Sequence, residues 1–289
     1  MIAVLDIGSN SVRMMLWNNG VTQSKITVTT RLSEGILLNG FLLPQAINRT
    51  VDAICDLIKQ GKSLGATNFY LFATEAVRRA TNKTEFINAV YNKCGLTVEV
   101  VSGDTEALLG IYGALERKDG GIIDVGGAST EISISKNGKL IYSKSVPMGS
   151  VIVKEKCAQN KQKATEYINS MIDLYQTVPF TSNMISLGGT ATTLASVLLE
   201  LEPYNPELVH GYKITKQSVL NLVNKLYALS IEERKKLKGL HPQRADVISG
   251  GALILYLIMQ RFGYEYITVS ESDNLEGYCR LKILGEKYE

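Results

Sequence analysis

A chain of 289 residues is longer than a single ordinary hydrophobic core supports, so two units of roughly 100–180 residues each are expected. Its 45% hydrophobic and 20% charged content is that of a globular protein, and a net charge of +3 is too small for the basic footprint of a DNA-binding domain. Cys55, Cys94, Cys157 and Cys279 are dispersed, with no C-x-x-C or Cys/His cluster, so neither a zinc site nor a disulfide framework is expected and a reducing cytoplasm fits. The longest apolar run, 252–259, is far short of the ~20 residues that span a bilayer. The amino terminus enters a strand at once, without the basic and small-residue flanks of a signal peptide.

Residues 1–17 read as strand, polar elbow, strand, with Asp6 ending the first apolar run. Gly8 lets the backbone approach a ligand closely, and Ser9, Asn10 and Ser11 with their amides can donate to a phosphate oxygen. The same composition also makes an ordinary turn. Asn19-Gly20 signals a hairpin, with a returning strand over 21–30. Pro44 opens a helix whose Ile47, Val51, Ile54 and Ile58 form one stripe, ended by Gly61 or Gly65. A buried strand over 68–73 exits into Thr74-Glu75-Ala76-Val77-Arg78-Arg79, and a helix over 84–94 is closed by Gly95. After a strand over 97–101, Ser102-Gly103-Asp104-Thr105-Glu106 stands at the mouth of a helix reaching about Glu116. Strands followed by helices make this an α/β unit.

At Gly121 the opening pattern returns as Ile122-Ile123-Asp124-Val125-Gly126-Gly127-Ala128-Ser129-Thr130-Glu131, followed by Asn137-Gly138. Asp124, Gly126, Ser129 and Gly138 each stand 118 residues after Asp6, Gly8, Ser11 and Gly20, a gap-free repeat. It predicts two similar units facing one cleft. Helices over 151–157 and 164–176 and a strand over 183–187 lead to Gly188-Gly189-Thr190, a third small-residue turn, before a helix over 191–200. Thr215 starts a helix, Ser230 and Glu233 make a capping box, and this helical stretch reads as an insertion. Arg244 begins a long apolar helix to Phe262, 265–270 is a strand, and 275–284 is a last helix.

Three small-residue turns converging from two units suit a polyanion. Asp6 and Asp124 would repel beside phosphates unless a hard divalent cation lay between them, most plausibly Mg2+ with waters retained and with Glu131 assisting. Arg78 and Arg244 occupy places where packing prefers apolar groups, which phosphate clamping would explain. Glu106, in a first helical turn, is read either as a dipole partner or as a water-orienting general base. His210 and His241 are read as structural.

The ordered motifs DIGSNSVR, ATEAVRRATN, VVSGDTEALLG, IIDVGGASTE, PMGS, LGGTATTLA, RADVISGGA and VSESDNLEG resemble the exopolyphosphatase / guanosine pentaphosphate phosphohydrolase family in its short, two-domain form. The resemblance implies an α/β fold of two ribonuclease-H-like domains of the actin, sugar-kinase and Hsp70 superfold around a central cleft. It implies 1–117 with a returning 273–289 as the first domain and 118–272 as the second. It assigns Glu106 as catalytic, Asp124 to a magnesium site and Arg78 to substrate phosphate. Gly8, Ser9, Asn10, Ser11, Gly126, Gly127, Ala128, Ser129, Gly188, Gly189, Thr190 and Arg244 complete the expected phosphate contacts. Ala128 replaces a usual glycine, and 270–277 lacks the family's usual arginine. The expected activity is magnesium-dependent removal of terminal phosphate from linear polyphosphate, with guanosine pentaphosphate as the alternative. A kinase or ATPase of the same superfold and a non-catalytic sensor are the other readings. The expected protein is cytoplasmic, with no DNA or membrane partner, and a homodimer is admitted.

Overall fold

The computed structural model describes residues 1–116 and 118–286. The expected boundary residue Arg117 and the last residues of the returning segment, 287–289, lie outside the described residues. In the first unit, β1 (Ile2–Ile7), β2 (Ser11–Asn18) and β3 (Val21–Thr29) form the antiparallel run read from the alternation. Asn19 and Gly20 both have positive φ, as does the pair Asn137 and Gly138 in the second unit, and this is why Asn-Gly closes each hairpin. A one-turn α1 (Ile36–Asn39) precedes α2 (Pro44–Ser63), β4 (Asn68–Ala73), α3 (Glu75–Arg79), α4 (Lys83–Cys94), β5 (Val98–Val100) and α5 (Gly103–Ala114). The sheet order is β3-β2-β1-β4-β5, with β4 and β5 parallel to β1.

The second unit repeats this with β6 (Gly120–Val125), β7 (Thr130–Lys136) and β8 (Lys139–Val146), then α6 (Ser150–Cys157), α7 (Lys161–Ile172), β9 (Met184–Leu187) and α8 (Gly188–Leu198). There follow α9 (Pro206–Val209), β10 (Lys213–Thr215), α10 (Lys216–Ala228), α11 (Ile231–Arg234), α12 (Ile248–Phe262), β11 (Tyr266–Val269) and α13 (Asn274–Tyr278). Its sheet order is β10-β11-β9-β6-β7-β8. Both sheets place the three-stranded meander beside parallel strands, the ribonuclease-H-like arrangement expected for the two halves of an actin-like fold.

Strand alternation decides where the acids point. Ala3, Leu5 and Ile7 join the core under α2, where Ile47, Val51, Ile54, Leu57 and Ile58 each contribute about 1.5–3 kcal/mol of burial. Val4, and therefore Asp6, faces the other side, where Val4 packs with Leu109 of α5 and Leu275 of α13. In β6, Ile123 and Val125 enter the second core, whereas Ile122, and therefore Asp124, faces Ile111 and Leu115 of α5. The two aspartates thus stand on the inner faces of two sheets separated by the α5/α13 pair. That pair packs closely because a Cβ at Gly277 would lie 2.6 Å from the Leu109 carbonyl carbon. We propose the division 1–117 with 273–289 and 118–272, supported by α13 covering the first sheet; α5 contacts both units.

Several expectations change. Gly188-Gly189-Thr190 is the first turn of α8 rather than a preceding loop, since helical hydrogen bonding reaches back to the strand end. Arg244 ends a 3-10 turn (Pro242–Arg244) ahead of α12, because Pro242 sets up a separate turn capped by His241. The expected 164–176 helix is α7 followed by a 3-10 turn (Asp173–Tyr175). The insertion is not wholly helical, as three-residue β10 extends the second sheet by pairing with β11, too short a strand for periodicity to reveal. Cys55 of α2 and Cys94 of α4 form a disulfide, contrary to the reading of dispersed thiols. Sequence separation of 39 residues hid a Cα–Cα distance of 5.7 Å created by helix packing.

Candidate active site

The two elbows are the same turn built twice. Gly8 N donates to Ser11 O and Gly126 N donates to Ser129 O, each at 3.0 Å. The register that follows sets Asp6 opposite Arg13 and Asp124 opposite Glu131, and opposed residues share a face. Arg13 and Glu131 are themselves 118 residues apart, so the repeat keeps the geometry and inverts the charge. Arg13 forms ion pairs with Asp6 and with Asp273. Burial raises the Asp6 carboxyl, Arg13 opposes it, and Asp6 Oδ1 is left buried without a partner. In the second elbow no arginine intervenes. Burial pushes Asp124 up to about 8 against the pull of Arg13, with Glu106 adding to the rise. Burial and then the facing Asp124 push Glu131 up to about 8, although Ser145 donates to its Oε1 at 2.5 Å.

Glu106 lies in the first turn of α5, whose start is fixed by Ser102 Oγ accepting from Thr105 N at 3.1 Å. It is buried, and burial followed by Glu131 pushes its carboxyl up to about 8 against Arg78. Arg78 stands in α3 and donates to Glu106 Oε2 at 2.8 Å, to Val101 O at 2.9 Å and to Glu75 Oε2 at 2.5 Å. This arginine, expected on substrate phosphate, here holds the catalytic candidate and lies off the cleft wall. Oε1 of Glu106 keeps its acceptor capacity.

A cavity of about 90 Å³ is enclosed by the three turns. Gly8, Ser9, Asn10 and Ser11 come from the first, Gly126, Gly127 and Ser129 from the second, and Gly188, Gly189 and Thr190 from the third. Asp6, Glu106, Asp124, Glu131 and Arg244 line it as well. Ala128 is buried and lies off this wall, so its replacement of glycine does not narrow the cavity. Thr190 Oγ1 donates to Val125 O at 2.8 Å and ties the third turn to the second. Arg244 packs directly over Gly189 and has no carboxylate within 4 Å among the described residues. Burial pulls its guanidinium down to about 10, with Arg13 adding to the fall. Five donors of a desolvated guanidinium aimed at a cavity are an anion site.

Among the described residues no three His, Cys, Asp or Glu side chains gather into a ready-made metal cage. A hard cation that retains its waters needs only one or two carboxylates, and Asp124 with Glu131 supply an all-oxygen, charge-deficient pair. The residues fit such an ion at the second elbow better than at the first, where Arg13 already neutralises Asp6. Sequence reasoning missed Arg13, Glu75 and Asp273. The signal for Arg13 was present in the hairpin: counting outward from the elbow pairs Ile7 with Val12 and Asp6 with Arg13. His210 and His241 accept backbone hydrogen bonds from Glu271 and Gln243, which is structural work.

The chain is similar to known proteins. Over 95% of its length the chain is 31% identical to the bifunctional 3-dehydroquinate synthase/phosphatase of Fusobacterium nucleatum, of which it spans only 45%. It is 28% identical to exopolyphosphatase 2 of Mycobacterium tuberculosis over 96% of both chains. The crystal structure of the Aquifex aeolicus Ppx/GppA family member superposes with a TM-score of 0.78 at 27% identity, covering 100% of this chain and 99% of that one. No helix among the described residues is long and apolar enough to cross a membrane. With its doubled elbow, its third glycine turn and a match to the family description over residues 20–281, the chain belongs to the Ppx/GppA phosphatase family.

Proposed function

We propose that this chain is an exopolyphosphatase that hydrolyses the terminal phosphate of linear polyphosphate with Mg2+ as cofactor. The observation that carries the reading is Arg244, an arginine without an ion pair among the described residues that lines the same cleft as Glu106 and Asp124. The name of the Mycobacterium relative, matched over nearly its whole length, supports the same activity.

In this reading the amides and hydroxyls of Gly8 to Ser11, of Gly126, Gly127 and Ser129, and of Gly188 to Thr190 hold the terminal phosphate. Arg244 balances the charge on its equatorial oxygens. Glu106 accepts the proton of the attacking water at Oε1 while Arg78 fixes its other oxygen. A carboxyl pushed toward neutrality is a stronger base than an ordinary one, which suits that role. Asp124 and Glu131 would hold the Mg2+, whose chemistry is to neutralise charge on the phosphate oxygens. Guanosine pentaphosphate is the second reading, favoured by an adjoining cavity of about 650 Å³ that has room for a nucleoside. A cytoplasmic setting and a homodimer belong to the same proposal; the Cys55–Cys94 bond weighs against the first, since disulfides persist mainly in oxidising compartments.

The test offers polyphosphate, guanosine pentaphosphate and ATP side by side to wild type and Glu106→Gln with Mg2+ and measures phosphate release. Wild type should favour polyphosphate, and the variant should lose ~10²- to 10⁴-fold in kcat while still binding the chain. Near wild-type turnover in the variant would overturn the assignment, and faster release from guanosine pentaphosphate would establish the second reading.

A further inference from the structure

The 90 Å³ cleft opens into the 650 Å³ cavity, and the two share Arg13, Gly188, Gly189 and Arg244. One wall of the larger space is the 235–244 loop between α11 and α12, which carries Lys235, Lys236 and Lys238. This loop is anchored. Arg234, buried at its base, donates to Leu226 O at 2.6 Å, to Ala245 O at 3.2 Å and to Ser249 Oγ at 3.1 Å, tying α10, the loop end and α12 together. At Gly239 the loop presses so closely on the end of α8 that a Cβ would lie 2.8 Å from Val197 N.

The charges on this wall are unequal. Asp273 is taken by Arg13, Glu271 accepts from Tyr204, and Lys235 pairs with Glu232. Lys236 and Lys238 are exposed, and neither has a carboxylate within 4 Å among the described residues. The positive charge without an ion pair among the described residues therefore runs from Arg244 at the cleft to two ammonium groups on an anchored loop, with Glu233 acting on Lys236 from beyond 4 Å. Glu202 and Glu271 are the acids on the wall that stand against this sign without an ion-pair partner among the described residues, Glu271 being held by Tyr204.

We propose that the larger cavity is a chain subsite, in which Lys236 and Lys238 hold the phosphates distal to the one being cleaved and so favour long linear polyphosphate over short anions. This rests on the phosphohydrolase reading above. Flexible ammonium groups suit it, because a polyphosphate chain offers repeating charge and no fixed hydrogen-bonding pattern.

The test is the double variant Lys236→Ala/Lys238→Ala, with both positions exposed and far from the core. For long-chain polyphosphate KM should rise roughly five- to tenfold at unchanged kcat, with a shallower dependence on salt. For tripolyphosphate both constants should stay within about twofold. Lys236→Arg/Lys238→Arg should restore the long-chain KM. Equal effects on both substrates, no effect on either, or an effect confined to guanosine pentaphosphate would overturn the subsite. If wild type released no phosphate from polyphosphate, the phosphohydrolase reading would fall by itself. Equilibrium binding of long-chain polyphosphate would still test the subsite, where equal affinity of wild type and double variant overturns it.

Discussion

Replacing Gly189 by alanine tests the anion-site geometry without touching a charged group. A Cβ at that position would lie 2.5 Å from Arg244 Cζ and nearer still to both of its terminal nitrogens. Ordinary contact begins at 3.4 Å, so the guanidinium must retreat by roughly 1 Å. The obstructing atoms are the far end of a flexible side chain, and the fold should tolerate the change, with a loss of stability of about 1 kcal/mol or less. The phosphate contact should not tolerate it. A charge-assisted hydrogen bond contributes about 1.5–3 kcal/mol, and a misplacement of about 1 Å has cost ~10²-fold in other enzymes, so kcat/KM should fall roughly 10- to 100-fold. Phosphate release over a range of polyphosphate concentrations gives the first quantity, and a urea melt gives the second. A folded Gly189→Ala protein within twofold of wild-type kcat/KM would refute the assignment of Arg244 to substrate phosphate.

Two other perturbations address the scaffold and the acids. Gly277→Ala forces a methyl group to within 2.6 Å of the Leu109 carbonyl carbon, where backbone cannot yield. α5 and α13 should separate at a cost of about 1–3 kcal/mol in urea denaturation, with activity falling because Glu106 and Asp273 ride on these helices; unchanged stability would contradict the close packing. In chelator-treated protein Glu106, Asp124 and Glu131 are pushed up to about 8, above an unfolded value of about 4. Between those limits the folded chain binds more protons than the unfolded one, so these groups lower stability as pH rises from 4 to 8, and the loss levels off above 8. Asp124→Asn should therefore flatten the fall between pH 5 and pH 8 relative to wild type, and added Mg2+ should do the same; an unchanged slope in both cases would remove the carboxylate cluster as its cause.

Much of this protein is written locally. The 118-residue repeat, the two Asn-Gly hairpins, the elbows after Asp6 and Asp124, and Glu106 in a capped first turn all follow from rules acting over a few neighbours. Even the Asp6–Arg13 pairing was available, since an elbow of known length sets the register of its hairpin. Other features were decided at a distance. The contact of Arg78 with Glu106, 28 residues away, is made by the packing of α3 on α5. Arg13 meets Asp273 across 260 residues because α13 returns to the first sheet. The Cys55–Cys94 bond, the β10 edge and the lysine loop facing the cleft likewise arise from packing. The physical division lies in what sets each feature. Turn sterics, capping and alternation act within a few residues and leave a mark in the sequence, whereas the partner of a buried charge is chosen by which surfaces close on one another, and only the folded chain determines that.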